Sequence, residues 1–150
     1  FAPAFLHEAL EIYREEFRPS AHFDRPYAMA AVNVAVADTD QEAQRLFTSS
    51  QMGFLNMIRG QRLKLQPPID SMDSIWSPLE KAKVEAMLTY AYVGARQRVS
   101  EGIRQFLEAT QVDELIVTSR IYDQSERLRS LELLAEVREM LQARPGAVTS

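Results

Sequence analysis

Four polar residues, Thr118, Ser119, Arg120 and Tyr122, follow directly on an apolar run, Leu115-Ile116-Val117. Two hydroxyls, a guanidinium and a phenol offer hydrogen bonds and one fixed positive charge, which suits holding a polar or anionic ligand. Their setting gives the grouping its interest. Leu115, Ile116 and Val117 are consecutive apolar residues, two of them β-branched, as in an interior strand of a parallel sheet covered on both faces. The polar residues then sit at the carboxyl end of the strand, where α/β proteins assemble their sites. Asp123, with Glu126 three residues on, opens the next helix as an N-cap with its capping-box partner. Each polar residue also has a structural reading: Thr118 and Ser119 as strand terminators, Arg120 as partner to a surface carboxylate.

Other chemistries are poorly supplied. Cysteine is absent, which removes disulfides, thiolate nucleophiles and zinc–sulfur sites together and is compatible with a reducing cytoplasm. His7 and His22 are the two histidines; they fall on different elements with no carboxylate at ligand spacing, so no metal is expected. A formal net charge of −4 offers no basic field for nucleic acid or an anionic membrane. No apolar run approaches the ~20 residues that span a bilayer. With 46% hydrophobic and 25% charged residues over 150 positions, the chain reads as one folded domain, 1–150, in the cytoplasm.

The elements that must position these residues follow from period and caps. Phe5, Leu6, Ala9, Leu10, Tyr13 and Phe17 recur at spacings of three and four after Pro3, an amphipathic helix. Arg18 to Pro26, with two prolines, is a loop. Tyr27 to Ala37 is nearly all apolar, a second buried strand whose single polar member, Asn33, faces either a pocket or a structural hydrogen bond. Thr39 and Glu42 open a helix that runs to about Arg59, with Gly60 as its stop, Leu46, Phe47, Phe54, Leu55 and Ile58 as its stripe, and Met52 and Met57 as core filler. Gln61 to Trp76 breaks the rhythm as an inserted connection, either a lid or subunit contact anchored by Trp76 or a packed loop. Ser77-Pro78-Leu79-Glu80 then carries three helix-start signals at once. Tyr90 to Gly94 is a short strand, Ala95 to Thr110 a helix, and Asp123 to Ala143 the last helix, ended by Arg144-Pro145-Gly146.

Repeated strand–helix units with long crossovers predict a parallel sheet. Three such strands cannot close a barrel. The outer ones would leave unpaired edges, and one side would be bare, lined by Val32, Val34, Val36, Ile116 or Leu115 depending on register. A chain that opens on a helix with no strand before it reads as the back part of a longer βα array.

Several segments carry a family resemblance: Phe1-Ala2-Pro3-Ala4, Phe17-Arg18-Pro19-Ser20, Arg25-Pro26-Tyr27, Val32-Asn33-Val34 with Ala37-Asp38-Thr39, Tyr92-Val93-Gly94, and Asp113-Glu114-Leu115 through Ile121-Tyr122-Asp123 to Arg127-Leu128-Arg129-Ser130. In order and spacing they resemble the C-terminal part of the bacterial luciferase-like flavin-dependent monooxygenases. The resemblance implies the C-terminal portion of a (β/α)8 TIM barrel, about strands six to eight and helices five to eight. It also implies reduced FMN, often delivered by a flavin reductase, with dioxygen and a small organic substrate. The segments that grip the flavin phosphate in that family have no counterpart here, so no catalytic residue is carried over and the chain alone is expected to be inactive. The residues left for a cofactor or substrate rim are Asn33, Val93, Gly94, Thr118, Ser119, Arg120 and Tyr122. Its partners would be the N-terminal half of the barrel or a second copy of the chain. The competing readings are a non-enzymatic α/β association module and a deazaflavin-dependent oxidoreductase of the same superfamily.

Overall fold

The computed structural model describes residues 3–143. A turn of 3-10 helix at Pro3–Phe5 leads into α1 (Leu6–Glu16). Then come β1 (Met29–Val36), α2 (Asp40–Ile58), α3 (Pro78–Met87), β2 (Ala91–Gly94), α4 (Arg96–Thr110), β3 (Glu114–Thr118) and α5 (Gln124–Gln142). Every strand and helix read from the sequence is present, and the expected stop at Arg144-Pro145-Gly146 lies outside the described residues.

Local chemistry sets the boundaries. Thr39 accepts the Glu42 N–H at 3.2 Å and starts α2. At α3 the capping box is complete: Ser77 Oγ accepts from the Glu80 N–H at 3.3 Å, and the Glu80 carboxylate accepts the Ser77 N–H at 2.7 Å. The same carboxylate pairs with the Arg59 guanidinium at 2.7 Å, tying the end of α2 to the start of α3. Asp123 Oδ1 accepts from Ser125 and Glu126 and caps α5. The connection from residue 61 to 76 has no regular structure, yet it is fastened to α2: Ile69 N–H donates to Thr48 Oγ1 at 2.9 Å, Arg59 donates to the Ile75 carbonyl at 3.0 Å, and Met72 is buried. Of the two readings of that insertion, packing is what the described contacts show.

The sheet is parallel, in the order β2-β1-β3, with β1 central. β3 pairs with the first half of β1, from Met29↔Glu114 to Asn33↔Thr118. β2 pairs with the second half, from Asn33↔Ala91 to Val36↔Gly94. This departs from three consecutive barrel staves, in which β2 would lie between its neighbours in sequence.

Alternation along β1 sends its side chains to two different places. Ala30, Val32, Val34 and Val36 are buried against Val99, Ile103 and Phe106 of α4 and Leu133 and Val137 of α5. Ala35 and Ala37 lie under α2, in a second cluster with Leu46, Leu55, Met72, Val84, Leu88 and Ile121. That second cluster covers only the carboxyl half of the sheet. On the amino half the same side is bare: Met29 is 52% exposed, Ile116 is 46% exposed, and Ala31 and Thr118 are exposed too.

Two expectations are corrected here. β3 is an edge strand, not an interior one, with Leu115 and Val117 packed on the α4/α5 core and Ile116 turned outward. Its unbroken apolar run is suited to two covers, and the described residues provide one. The bare side is lined by Met29, Ala31 and Ile116, while Val32, Val34 and Val36 face the helices; the register decides this, since a shift of one residue exchanges the faces.

Candidate functional site

The bare side of β1 ends in polar groups. Asn33 closes the exposed row of odd-numbered residues before α2 covers it, and it pairs in register with Thr118, the last residue of β3. The Thr118 hydroxyl donates to Asn33 Oδ1 at 2.9 Å. Asn33 therefore presents its amide N–H groups as unused donors among the described hydrogen bonds. Two residues on, Arg120 lays its guanidinium over the Phe54 ring of α2, 5.5 Å from the centroid. Ser50 of the same helix donates to the Arg120 carbonyl at 3.0 Å, which fixes the backbone from which the side chain departs. The guanidinium also lies beside Gly53, where a Cβ would stand in ordinary van der Waals contact with it at 3.5 Å.

These three residues line a cavity of about 640 Å³ with Met29, Ala31, Phe54, Met57, Met87 and Tyr90, and Arg120 is its single charged residue. The volume falls in the range of small-molecule sites. Among the described residues Arg120 makes no ion pair, and its guanidinium makes no hydrogen bond. The arrangement is an apolar trough with a positive charge, an amide and a hydroxyl at one end. It can orient an organic molecule by its polar end, and it contains no positioned nucleophile or general base.

The other predicted residues lie elsewhere. Ser119 has the parity of Leu115 and Val117, and its buried hydroxyl has no hydrogen-bond partner. Val93 packs partly into the α2/α3 cluster. Gly94 is a structural position: at φ +153°, a Cβ would fall 2.6 Å from Asp40 Oδ1. That Asp40 carboxylate accepts the Ala95 N–H at 2.7 Å, fastening the residue that precedes α4 to the start of α2. Tyr122 is exposed and away from the trough. Sequence reasoning missed Phe54 and Met57 as site residues, because an aromatic and a methionine at helical spacing read as core. Met57 is instead 48% exposed on the cavity wall. The pattern that could have found them is the pair of small polar residues Ser49-Ser50, buried where the strand terminus meets α2.

A larger groove, about 1130 Å³, is bounded by α2, α3, β2, α4 and the 61–76 connection. Its cations have carboxylate partners nearby: Arg45 with Glu42, Arg98 with Asp40 and Lys81 with Glu85. Glu42 raises the pKa of Arg45 chiefly by hydrogen bonding, while burial pushes the Tyr92 phenol up to about 12. Those groups stay in their ordinary charge states at neutral pH. No cluster of metal-ligating side chains occurs among the described residues, and no described helix is long and apolar enough to cross a membrane.

The fold and the trough define a parallel α/β chain with a polar rim at the carboxyl ends of its strands. No protein-family model matches it. Individual relatives do. A protein of Escherichia coli (strain K12) named luciferase-like monooxygenase is 42% identical over 141 residues, 94% of this chain and 42% of that protein. An uncharacterized Bacillus subtilis protein, YvbT, is 43% identical over 91% of the chain and 41% of its own length. Among solved structures, apo-MsnO8 superposes with a TM-score of 0.70 at 31% identity, covering 91% of this chain and 42% of that one. The oxygenating constituent of 3,6-diketocamphane monooxygenase from Pseudomonas putida, a type II Baeyer-Villiger monooxygenase in complex with FMN, shares the fold at a TM-score of 0.53 and 21% identity. The resemblance read from the motifs is thus borne out: over nearly all of its length the chain is similar to a luciferase-like monooxygenase, and it spans about two fifths of the relatives it matches.

Proposed function

We propose that this chain is the C-terminal part of the barrel domain of an FMN-dependent monooxygenase that oxygenates a small organic substrate. The observation that carries the reading is the 42% identity with a luciferase-like monooxygenase across 94% of the chain. The one-sided sheet supports it. In a closed barrel, β1 and β3 are neighbouring staves and the row Met29, Ala31, Ile116 faces the lumen. β2, bonded only to the far end of β1, is an addition at the rim. On the side of β1 opposite β3, Met29 and Ala31 direct their N–H and C=O groups to an edge that no described strand occupies, because the Asn33 N–H on that side bonds Tyr90 and pairing begins there. A further stave fits this edge.

The trough fits part of a flavin or its substrate: an amide and a guanidinium to meet acceptor atoms, and Phe54 and Met57 to lie against an apolar surface. When bound, reduced FMN supplies the electrons that activate dioxygen. The residues described here do the positioning. Thr118 orients the Asn33 amide, Phe54 supports the Arg120 guanidinium, and α2 walls one side of the rim. They are too few to hold the cofactor alone, so the isolated chain neither retains FMN nor consumes oxygen with reduced flavin. Without its barrel partner, the bare face drives self-association instead.

The test joins the chain to the remainder of the Escherichia coli relative and compares the product with the chain alone. The joined protein is expected to bind FMN and consume oxygen when reduced flavin is supplied. Stoichiometric, micromolar FMN binding by the chain alone, measured by fluorescence quenching, would show that the cofactor grip has been misplaced.

A further inference from the structure

We propose that Met29 and Met57 form a peroxide-sensitive modification site, and that oxygen transfer to their thioethers releases the chain from self-association through the bare face. The second part rests on the functional reading above, which assigns self-association to that face. Three observations carry the proposal. The first is exposure: Met29 is 52% and Met57 48% exposed, whereas Met72 is 4% exposed within the α2/α3 cluster, and Met52 and Met87 pack against that cluster. The chain has no cysteine, so thioethers are its only sulfur groups, and their susceptibility follows exposure.

The second observation is position. Met29 on β1 and Met57 near the end of α2 line the same cavity, so both modifications fall on one surface, beside the exposed Ala31 and Ile116. Hydrogen peroxide supplies the oxygen. A sulfur lone pair attacks one peroxide oxygen, the S–O bond forms as the O–O bond breaks, and the departing hydroxide takes up the remaining proton and leaves as water. Sulfur is oxidised and the peroxide reduced. A flexible apolar side chain thereby becomes polar at the place where burial of apolar surface holds two copies together. The third observation is the neighbouring donors. The Asn33 amide, oriented by Thr118, and the Arg120 guanidinium line the same cavity, so hydrogen-bond donors stand beside the new sulfoxide oxygens on the open surface.

The test treats the chain with dilute hydrogen peroxide and maps the sulfoxides by peptide mass spectrometry, with sedimentation equilibrium and thermal melts alongside. In dilute protein, Met29 and Met57 are expected to react about tenfold faster than Met72. Raising the protein concentration should protect both of them and leave the rate at Met140, partly buried on α5, unchanged. The oxidised chain should keep its cooperative melt but dissociate, with a Kd raised at least about tenfold, and methionine sulfoxide reductases should restore association. A chain carrying Met29→Leu and Met57→Leu keeps apolar side chains of similar size at both positions, so it is expected to associate as wild type does and to stay associated in peroxide. Oxidation of Met72 as fast as Met29 and Met57, loss of the cooperative melt on oxidation, or equal dissociation of the double variant overturns the proposal. An untreated chain that is already monomeric at micromolar concentration overturns the self-association reading and this proposal with it. An associated chain that stays associated once Met29 and Met57 are oxidised overturns this proposal alone.

Discussion

The two halves of β1 differ more than their sequences do. From Asn33 to Val36 the strand is paired with β2 on one edge, donates the Val36 N–H to Ser130 Oγ on the other, and is packed on both faces, and Val34, Ala35 and Val36 are essentially inaccessible. From Met29 to Val32 it is paired on one edge and packed on one face. Both halves consist of small and β-branched residues, so composition does not separate them. What differs is what other elements bring: β2, α2 and α3 all gather at the carboxyl end. A strand finished at one end and open at the other leaves its polar rim where the covered and bare parts meet.

The sharpest test substitutes the same residue type on the two sides. Ile103→Ala, in the α4/α5 core at 2% exposure, is expected to cost about 2–5 kcal/mol, and Ile116→Ala, on the bare face, less than about 1 kcal/mol. Thermal melts of both variants measure the difference. In the joined protein the cost of Ile116→Ala should rise toward the core range, and an unchanged small cost there would mean that nothing covers this face.

Assembly comes next. Leaving a few hundred Å² of apolar surface bare costs several kcal/mol at about 25 cal/mol per Å², a large share of a domain's stability. Sedimentation equilibrium should find a dimer or larger species, and Ile116→Lys should shift it toward monomer. A wild-type monomer at micromolar concentration that binds no hydrophobic dye would remove the contrast between the halves.

Gly94→Ala probes the closed end. At φ +153° and with Asp40 Oδ1 in the way, a methyl group strains the backbone and disturbs the carboxylate that holds the Ala95 N–H ahead of α4, for a loss of about 1–3 kcal/mol. A loss no larger than that of an exposed alanine substitution would show that β2 is held loosely.

The smallest effect concerns acid. The Arg59 guanidinium, and then the Ser77 N–H, hold the Glu80 carboxyl at about 2 against an ordinary 4.5. A depressed carboxylate contributes stability above its unfolded pKa and loses it as pH falls through the folded one. The contribution is therefore complete above about pH 5 and fades between roughly pH 4.5 and 2. Glu80→Gln should flatten the melting temperature over that window, and carboxyl NMR should place the Glu80 titration at its lower edge. A Glu80 that titrates near 4.5 would mean that the link between α2 and α3 is not formed in solution.

Much of the fold was legible because its signals act within one turn of chain. Ser77, Pro78 and Glu80 mark the start of α3 whatever lies around them, as Asp123 does for α5 and Gly60 for the end of α2. The apolar runs at 29–36 and 114–118 announced buried-type strands for the same reason: β-branched residues suit a pleated, covered surface.

What only the tertiary structure decided is how those pieces meet. The order β2-β1-β3 and the half-by-half pairing depend on crossovers that join residues 55 and more positions apart, as in the Asp40–Ala95 bond, and no local pattern encodes them. The register turned Val32, Val34 and Val36 to the helices and left Met29, Ala31 and Ile116 bare. Of the seven rim residues read from the sequence, it brought Asn33, Thr118 and Arg120 together and sent Ser119, Val93, Gly94 and Tyr122 elsewhere. Residue type alone determined that a guanidinium would stand at the end of a strand; the approach of α2, fastened by the Ser50 bond to the Arg120 carbonyl, decided that it would rest on Phe54 and face an open trough.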